Sequence, residues 1–264
     1  MSATTVTPIR AGFHTITPYV TVPQAAEMID FVKSVFGVQE LFRDTGSAGG
    51  IHAEVRIGDS MMMIGGGSAF RGTPTPTMFQ YYVPNVDEVY ARAIAAGATV
   101  QLGLKEDHGD RFAVVRDPCG NDWIVSSHLG PRYVPDGLRD VTIYLHPVGA
   151  ARLIDFLKEA FAAEEFVRYD SREVDVLHAK IRIGDSMIEM GDSRRSSSGM
   201  LLPSMPTGIY LYVPDADAVY RSAIAAGAVS LSEPADQPYG DRLAGVQDFC
   251  GNRWYIATHI RGAS

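Results

Sequence analysis

Two histidines open nearly identical strings in this chain, HAEVRIGDSM at His52–Met61 and HAKIRIGDSM at His178–Met187. Glu54 follows the first histidine by two residues, and Lys180 follows the second. An imidazole titrates near neutral pH, so either histidine is a candidate acid–base group or ligand anchor. The alternative interpretation is structural, with each histidine bonded to a neighbouring strand.

A second group of candidate chemical residues lies in the C-terminal half of the chain. If the strands alternate as expected, His178, Glu189 and His259 share one face and could converge on a divalent metal ion, Zn, Ni, Mn or Fe. His178 and Glu189 could also act as metal-free acid–base catalysts. Their spacing matches no short metal-binding motif, so polar residues lining a wet cavity are the alternative.

Tyrosines are the strongest candidates for ligand contact, because each offers a flat apolar ring and a polar tip. The predicted ligand-binding set consists of His52, His178, Glu54, Glu189 and six tyrosines. The tyrosines are Tyr19, Tyr82, Tyr144, Tyr210, Tyr212 and Tyr255. The C-terminal half has more of them and also has Glu189, so we expect the working pocket there. A plain cavity lining is the alternative interpretation.

The chain repeats itself, at an offset that grows from 126 residues at His52 to 131 residues at His128. Each copy has the size of one domain, so the repeat predicts domains at 10–129 and 140–262. Residues 130–139 are rich in Pro and Gly and form the predicted linker. Cys119 and Cys250 occupy matching turns and are expected to be structural.

Apolar periodicity predicts the order strand, helix and three strands, twice in each copy. The first such module has a strand at Ile16–Val22, a helix at Gln24–Phe36, and strands at Val38–Arg43, Ile51–Ile57 and Ser60–Ile64. The glycines from Gly65 to Gly67 predict a loop after them. Four βαβββ modules indicate an α+β protein with curved, mostly antiparallel sheets.

Strand alternation sorts side chains between two faces of each sheet. In the predicted strand Ile51–Ile57, Ala53, Val55 and Ile57 should lie under the helices. His52 and Glu54 should then point to the opposite face, towards a cavity. The same parity places Trp123 and Trp254 in the core. Asp110-Arg111 and Asp241-Arg242 are expected to form loop-fixing ion pairs.

Composition excludes several classes of protein. The 264 residues are 46% hydrophobic and 20% charged, which is typical of a globular chain, and the formal net charge is −8. An acidic chain is a poor partner for nucleic acid or an anionic membrane surface. No apolar run is long enough to span a bilayer, and two cysteines make no disulfide framework. A cytoplasmic protein is therefore expected.

The sequence resembles the vicinal oxygen chelate superfamily, which includes glyoxalase I, bleomycin-resistance proteins and extradiol dioxygenases. The resemblance depends on the module order and on short strings, among them Ile29-Asp30-Phe31, Asp117-Pro118 and Tyr239-Gly240-Asp241-Arg242. These strings are most similar to the PhnB-like branch, and the resemblance covers the chain twice. It implies two tandem glyoxalase/bleomycin-resistance-type domains.

Metalloenzymes of that superfamily bind a divalent metal through His, Gln or Glu at one position on each of four strands. Carried over to this sequence, those positions are Thr17, Met63, Met78 and Ile124 in the first copy, and Thr142, Glu189, Gly208 and Tyr255 in the second. Only Glu189 is a competent ligand, whereas a catalytic metal needs about three protein ligands. The resemblance therefore predicts no inherited metal site and no cofactor.

These observations favour a protein that binds a small, apolar or aromatic molecule in a sheet-lined cavity. The alternative is a metal-dependent lyase, isomerase or dioxygenase of glyoxalase type, with a relocated site in the second domain. The residues leave open whether a reaction is catalysed and which molecule is bound. Single-copy members of the superfamily that the sequence resembles commonly pair as dimers, so the resemblance implies a pseudo-dimer of the two copies within one chain; further homodimerisation stays open.

Overall fold

The computed structural model describes residues 7–172, 175–193 and 204–260. Its helices are α1 (Ala25–Phe36), α2 (Val86–Ala95), α3 (Ala150–Phe161) and α4 (Ala216–Ala225). Its strands are β1 (Ile16–Val22), β2 (Gln39–Thr45), β3 (Ile51–Ile57), β4 (Ser60–Gly66), β5 (Met78–Tyr82), β6 (Thr99–Asp107), β7 (Asp110–Arg116), β8 (Asp122–His128), β9 (Val141–Leu145), β10 (Glu164–Tyr169), β11 (His178–Ile183), β12 (Ser186–Met190), β13 (Gly208–Tyr212), β14 (Val229–Asp236), β15 (Asp241–Gln247) and β16 (Arg253–His259). None of these helices is long and apolar enough to cross a membrane.

The order strand, helix and three strands occurs four times along the described chain. The strands form two eight-stranded mixed sheets, which confirms the predicted α+β fold class with four βαβββ modules. Most neighbouring strands are antiparallel. The pairs β1–β4, β5–β8 and β13–β16 are parallel, because each closes a module across its helix.

Contacts between Cα atoms divide the chain into two units. The N-terminal unit is Pro18–Leu145, with strand orders β1-β4-β3-β2 and β9-β5-β8-β7-β6. The C-terminal unit runs from His146 onward and includes the chain up to Thr17, with strand orders β10-β11-β12 and β14-β15-β16-β13. The predicted linker, 130–139, consists of bends and turns. Residues 261 and 262 of the predicted second domain lie outside the described residues.

The first residues of each copy, which we call its leading segment, belong to the unit that is built mainly from the other copy: residues up to Thr17 belong to the C-terminal unit, and β9 belongs to the N-terminal unit. Strand β9 opens the second copy, yet it pairs antiparallel with β5, with Thr142 opposite Gln80. In the C-terminal unit, the main-chain amide of Tyr212 donates to the Thr15 carbonyl oxygen at 2.8 Å. The two leading segments are thus built into the fold through contacts distant in sequence.

The β-hairpin tips hold these leading segments in place. The Asp59 amide donates to Asp140 Oδ2 at 3.0 Å, and the Asp140 amide donates to Asp59 Oδ1 at 3.0 Å. In the other unit, the Thr15 amide donates to Asp185 Oδ1 at 2.9 Å, and His14 Nδ1 lies 2.9 Å from Asp185 Oδ2. The repeated Gly-Asp-Ser string therefore has a structural role in both units.

Helix α1 begins and ends where its residues require. Its buried side chains include Met28, Ile29, Val32 and Val35, at helical spacing. It ends at Gly37, which has a φ of 66° and whose amide donates to the Lys33 carbonyl oxygen at 3.1 Å. Only glycine adopts this left-handed cap without strain.

The turns that carry Cys119 and Cys250 are organised by buried aspartates. Asp117 accepts hydrogen bonds from the Cys119 and Asn121 amides, and its Oδ2 accepts from the Trp123 indole at 2.9 Å. Asp248 repeats this with the indole of Trp254 at 3.0 Å. Burial raises the pKa of each thiol to about 12, with a neighbouring aspartate adding to the rise. These features support the expected structural role of the two cysteines.

Candidate functional site

One face of β1, β3 and β4 brings together several of the predicted ligand-binding residues of the N-terminal unit. Ala53 and Val55 belong to the hydrophobic core on which α1 packs, so His52 and Glu54 lie on the opposite face, as predicted. Met63 is opposite Glu54 on one side and beside Tyr19 on the other. We call this surface the first polar face; its residues are Tyr19, Phe42, His52, Glu54 and Met63.

The imidazole of His52 is the centre of the first polar face. Its Nε2 lies 3.5 Å from Oε1 of Glu54, whose side chain is almost completely buried. The Tyr19 ring approaches it edge to face, with ring centroids 5.8 Å apart, and the Phe42 ring does so at 6.2 Å. The arrangement combines a buried acid, an imidazole and two aromatic rings, which suits a ligand with an aromatic body and a polar group.

Glycine at position 65 makes room for this packing. Gly65 and Gly66 continue strand β4, so the expected loop at these two residues is wrong. A Cβ at Gly65 would lie 3.0 Å from the Tyr19 hydroxyl oxygen, which is closer than an ordinary contact. Parallel pairing with β1 keeps the glycines in the sheet, because their backbone bonds are satisfied there.

The C-terminal unit has a corresponding surface on β10, β11 and β12. Buried Ala179 and Ile181 alternate with His178 and Lys180 along β11, so the latter two share a face. Lys180 is directly opposite Glu189 on β12. We call this surface the second polar face; its residues are Tyr169, His178, Lys180, Met187 and Glu189.

Glu189 is the buried centre of the second polar face, with an exposed fraction of 3%. Its Oε1 lies 3.6 Å from His178 Nε2 and 3.5 Å from Lys180 Nζ. The structure therefore brings together His178 and Glu189, the two residues predicted as catalytic. It adds Lys180, two residues after His178 on the same face of β11.

Both polar faces have a glutamate carboxylate beside the histidine imidazole, but the glutamate comes from a different strand in each face. Glu54 and Met63 form one cross-strand pair, and Lys180 and Glu189 form the corresponding pair. The carboxylate has changed strand, yet its distance to the histidine Nε2 is 3.5 Å in one face and 3.6 Å in the other. Aligning the two copies residue by residue conceals this equivalence, whereas pairing β3 with β4 in register would have revealed it.

Three other predicted residues form a buried network elsewhere in the C-terminal unit. The hydroxyls of Tyr210 and Tyr212 donate to Asp241 Oδ2 at 2.7 Å and 3.0 Å, and His259 Nδ1 lies 2.8 Å from Asp241 Oδ1. Burial raises the pKa of Tyr210 well above its usual value. Tyr255 stacks on Tyr210 with ring centroids 6.5 Å apart. The network fixes the aromatic rings and gives their hydroxyls an internal acceptor.

The N-terminal unit has a smaller version of this network. The Tyr82 hydroxyl donates to Asp110 Oδ2 at 3.0 Å, and His128 Nδ1 lies 2.6 Å from Asp110 Oδ1. The ion pair expected between Asp110 and Arg111 is absent; Arg111 pairs with Asp87 at 2.6 Å instead. Adjacent strand residues point to opposite faces, so Asp110 and Arg111 contact different partners.

In the same way Arg242 pairs with Asp217 while Asp241 binds His259. The expected ion pair between Asp241 and Arg242 is therefore wrong as well. Both arginines instead hold the first turn of a neighbouring helix, α2 or α4.

The structure separates His259 from the other two residues of the alternative metal set. His178 and Glu189 lie on β11 and β12, whereas His259 lies on β16 in the other sheet. Among residues 7–172, 175–193 and 204–260, no three His, Cys, Asp or Glu side chains lie close enough together to hold a metal ion. Tyr144, the remaining predicted residue, is half-buried on β9.

The positions at which the superfamily resemblance places metal ligands do not fit a metal ion. The first copy offers Thr17, Met63, Met78 and Ile124 there, and these provide no imidazole or carboxylate. The second copy offers Thr142, Glu189, Gly208 and Tyr255, of which Glu189 alone has a carboxylate. Thioethers and aliphatic chains are poor ligands for the hard or borderline divalent ions of such sites.

Comparisons with known proteins match the N-terminal part of the chain to a family model and the chain to two mycobacterial relatives. A family model described as the Glyoxalase/Bleomycin resistance protein/Dioxygenase superfamily matches residues 12–125. An uncharacterized protein from Mycobacterium bovis is 32% identical over 118 residues, which are 42% of this chain and 78% of that protein. A relative from Mycobacterium tuberculosis is also 32% identical, over 69% of its own length.

A solved structure shows the same fold over nearly the whole chain. Glyoxalase I from Zea mays superposes with a TM-score of 0.69 at 14% identity, covering 92% of each chain. At this identity the similarity concerns the fold alone. The family match and the mycobacterial relatives show that the chain belongs to the glyoxalase/bleomycin resistance protein/dioxygenase superfamily, and the structural similarity shows that it has two tandem copies of the fold.

Proposed function

We propose that this protein binds a small aromatic or apolar molecule at the polar faces of its sheets, without the divalent metal ion of the superfamily's metalloenzymes. Within the superfamily we place it in the PhnB-like branch, on the strings that the sequence shares with it. The observation that carries the proposal is the residue set at the inherited ligand positions. Methionine, threonine, isoleucine, glycine and tyrosine stand there, with Glu189 as the exception.

The side chains around His52 support an aromatic ligand in particular. Tyr19 and Phe42 approach the imidazole from different directions, and Phe42 is half exposed on the edge strand β2. Met61 and Met63 lie on the same side of β4. Thioether side chains adapt to irregular apolar ligands and contact aromatic rings favourably. Such a surface can hold an aromatic molecule by its ring and direct its polar group to His52 or Glu54.

The test combines elemental analysis with thermal denaturation. Protein purified without a metal-affinity tag is analysed for Zn, Ni, Mn and Fe and melted with and without EDTA. It is then melted with a panel of naphthalene and phenol derivatives. We expect substoichiometric metal, no shift of Tm with EDTA, and a Tm that rises with ligand concentration, since a ligand that binds the folded state stabilises it by mass action.

Substitutions locate the site. Tyr19→Ala and Met63→Glu are expected to abolish the ligand-induced rise in Tm for an aromatic compound bound at the first polar face. Glu27→Gln, an exposed change on α1, is the control and should leave that rise intact. Near-stoichiometric metal whose removal lowers Tm would overturn the proposal and favour a metal-dependent lyase, isomerase or dioxygenase.

A further inference from the structure

The two polar faces differ in charge at corresponding positions. Opposite His52 on the neighbouring strand β2 is Asp44, and opposite His178 on β10 is Tyr169. Two residues after the histidine, the first face has Glu54 and the second has Lys180. The first face therefore places two acids, Asp44 and Glu54, beside its histidine. The second face places one acid, Glu189, beside its histidine, together with the cation of Lys180 and the exposed ring of Tyr169.

The cation of the second face is placed beside the histidine. Lys180 Nζ and His178 Nε2 approach the same oxygen of Glu189, at 3.5 Å and 3.6 Å, so the two nitrogens are at most about 7 Å apart. A carboxylate that accepts one charge-assisted hydrogen bond of about 2.8 Å on each oxygen can span such a separation. The ammonium group of Lys180 has three donors, and its side chain is partly exposed.

The aromatic part of a ligand has a neighbouring surface. Tyr169 is 61% exposed and lies on the same side of the sheet as His178, because the two residues are opposite each other in the β10–β11 register. An aromatic ring lying on Tyr169 would direct a short acidic substituent towards Lys180. The buried carboxylate of Glu189 holds His178 Nε2 and Lys180 Nζ in place, since each nitrogen has an electrostatic contact with it.

We propose that the second polar face selects aromatic molecules that bear a carboxylate, with Lys180 as the residue that determines this preference. His178 donates the second hydrogen bond, and Tyr169 contacts the ring. The first polar face disfavours the same molecules, because Asp44 and Glu54 both repel an anion, whereas Lys180 offsets the charge of Glu189 on the second face. This inference rests on the proposed function, and it assigns a chemical class of ligand to one of the two faces.

Calorimetric titration with 2-naphthoate and with its neutral analogue 2-naphthalenemethanol tests the assignment. The decisive variant is Lys180→Glu with Glu189→Met, which gives the second face the residues of the first at these two paired positions. We expect it to weaken naphthoate binding about tenfold or more while changing binding of the alcohol by less than about twofold. The converse variant, Asp44→Tyr and Glu54→Lys with Met63→Glu, is expected to add a naphthoate site.

A matched control keeps the change of formal charge but moves it to exposed helix positions, Arg221→Glu with Glu159→Met. It should bind naphthoate as the wild type does. The single variant Lys180→Met serves if the double variant does not fold.

Equal naphthoate affinity in the wild type and in the folded Lys180 variants would overturn the assignment. Equal affinity of the wild type for naphthoate and the alcohol would also overturn it, yet would leave the proposed function standing. Failure of the wild type to bind either compound or any member of the aromatic panel would overturn both.

Discussion

A buried histidine after strand β9 makes the stability of this protein dependent on pH in the range from 4 to 7. His146 is 8% exposed, and burial lowers its pKa from 6.5 to about 4. The folded state therefore holds this imidazole neutral, while the unfolded chain binds a proton below pH 6.5. Stability contributed by neutral His146 is present above the unfolded pKa and is lost as the pH falls towards the folded pKa.

The magnitude follows from the difference between the two pKa values. Each pKa unit corresponds to about 1.4 kcal/mol, so 2.5 units correspond to about 3.4 kcal/mol when the pH falls below both values. Between pH 7 and pH 4.5 the expected loss in the free energy of unfolding is about 2 kcal/mol. This loss is large against a typical total stability of about 5–15 kcal/mol.

Urea denaturation at pH 7, 6, 5 and 4.5 measures this loss in the wild type and in His146→Leu. Leucine does not titrate, so the free energy of unfolding of the variant should fall by about 2 kcal/mol less over this range. His108→Asn, at a 95% exposed turn position, is the control and should keep the wild-type dependence. Identical pH dependence in the wild type and His146→Leu would refute the reasoning.

Three further predictions concern the turns and the β-hairpin tips. Asp117→Ala leaves the Trp123 indole and two amides without their acceptor and should lower the free energy of unfolding by about 3 kcal/mol, measured in urea. Cys119 and Cys250 should react with iodoacetamide at pH 8 far more slowly than free cysteine, because burial raises both pKa values to about 12; mass spectrometry after timed quenching tests this, and rapid labelling would contradict it. Burial alone would raise the pKa of Asp185, but hydrogen bonds from Thr15, Ser186 and His14 outweigh burial and lower this pKa. The stability that the Asp185 carboxylate contributes is therefore present above its unfolded pKa and is lost in acid. Asp185→Ala should therefore lower the urea midpoint at pH 7 and have a progressively smaller effect below about pH 4.

Local structure was predictable because its determinants are local. The strand Ile51–Ile57 has the predicted bounds, and Ala53 and Val55 are buried as the alternation requires. Helix α1 ends at Gly37, whose left-handed conformation the sequence signals by residue type. Trp123 lies in the core with an exposed fraction of 0%. In each case the alternation of apolar residues within one strand, or the residue type at one helix end, determines the local structure.

The pairing of distant strands was not predictable from the same information. The copies are so similar that β9 has the pattern of β1, and periodicity does not reveal that it pairs with β5. The continuation of β4 through Gly65 and Gly66 also depends on a long-range partner, β1, which supplies the hydrogen bonds that glycine-rich strands need. The equivalence of Glu54 and Glu189 required the register of paired strands.

The exchange of leading segments has a consequence for protein synthesis. Thr15 and His14 find their acceptor in Asp185, about 170 residues later in the chain. At a translation rate of about 5–20 residues per second, Asp185 is synthesised roughly 10–30 s after Thr15 and His14. The partner of Asp59 in the other unit, Asp140, follows after 81 residues, about half as long. Thr15 and His14 are thus made long before their native partner, and during that interval a nascent-chain chaperone would meet this segment before Asp185 does.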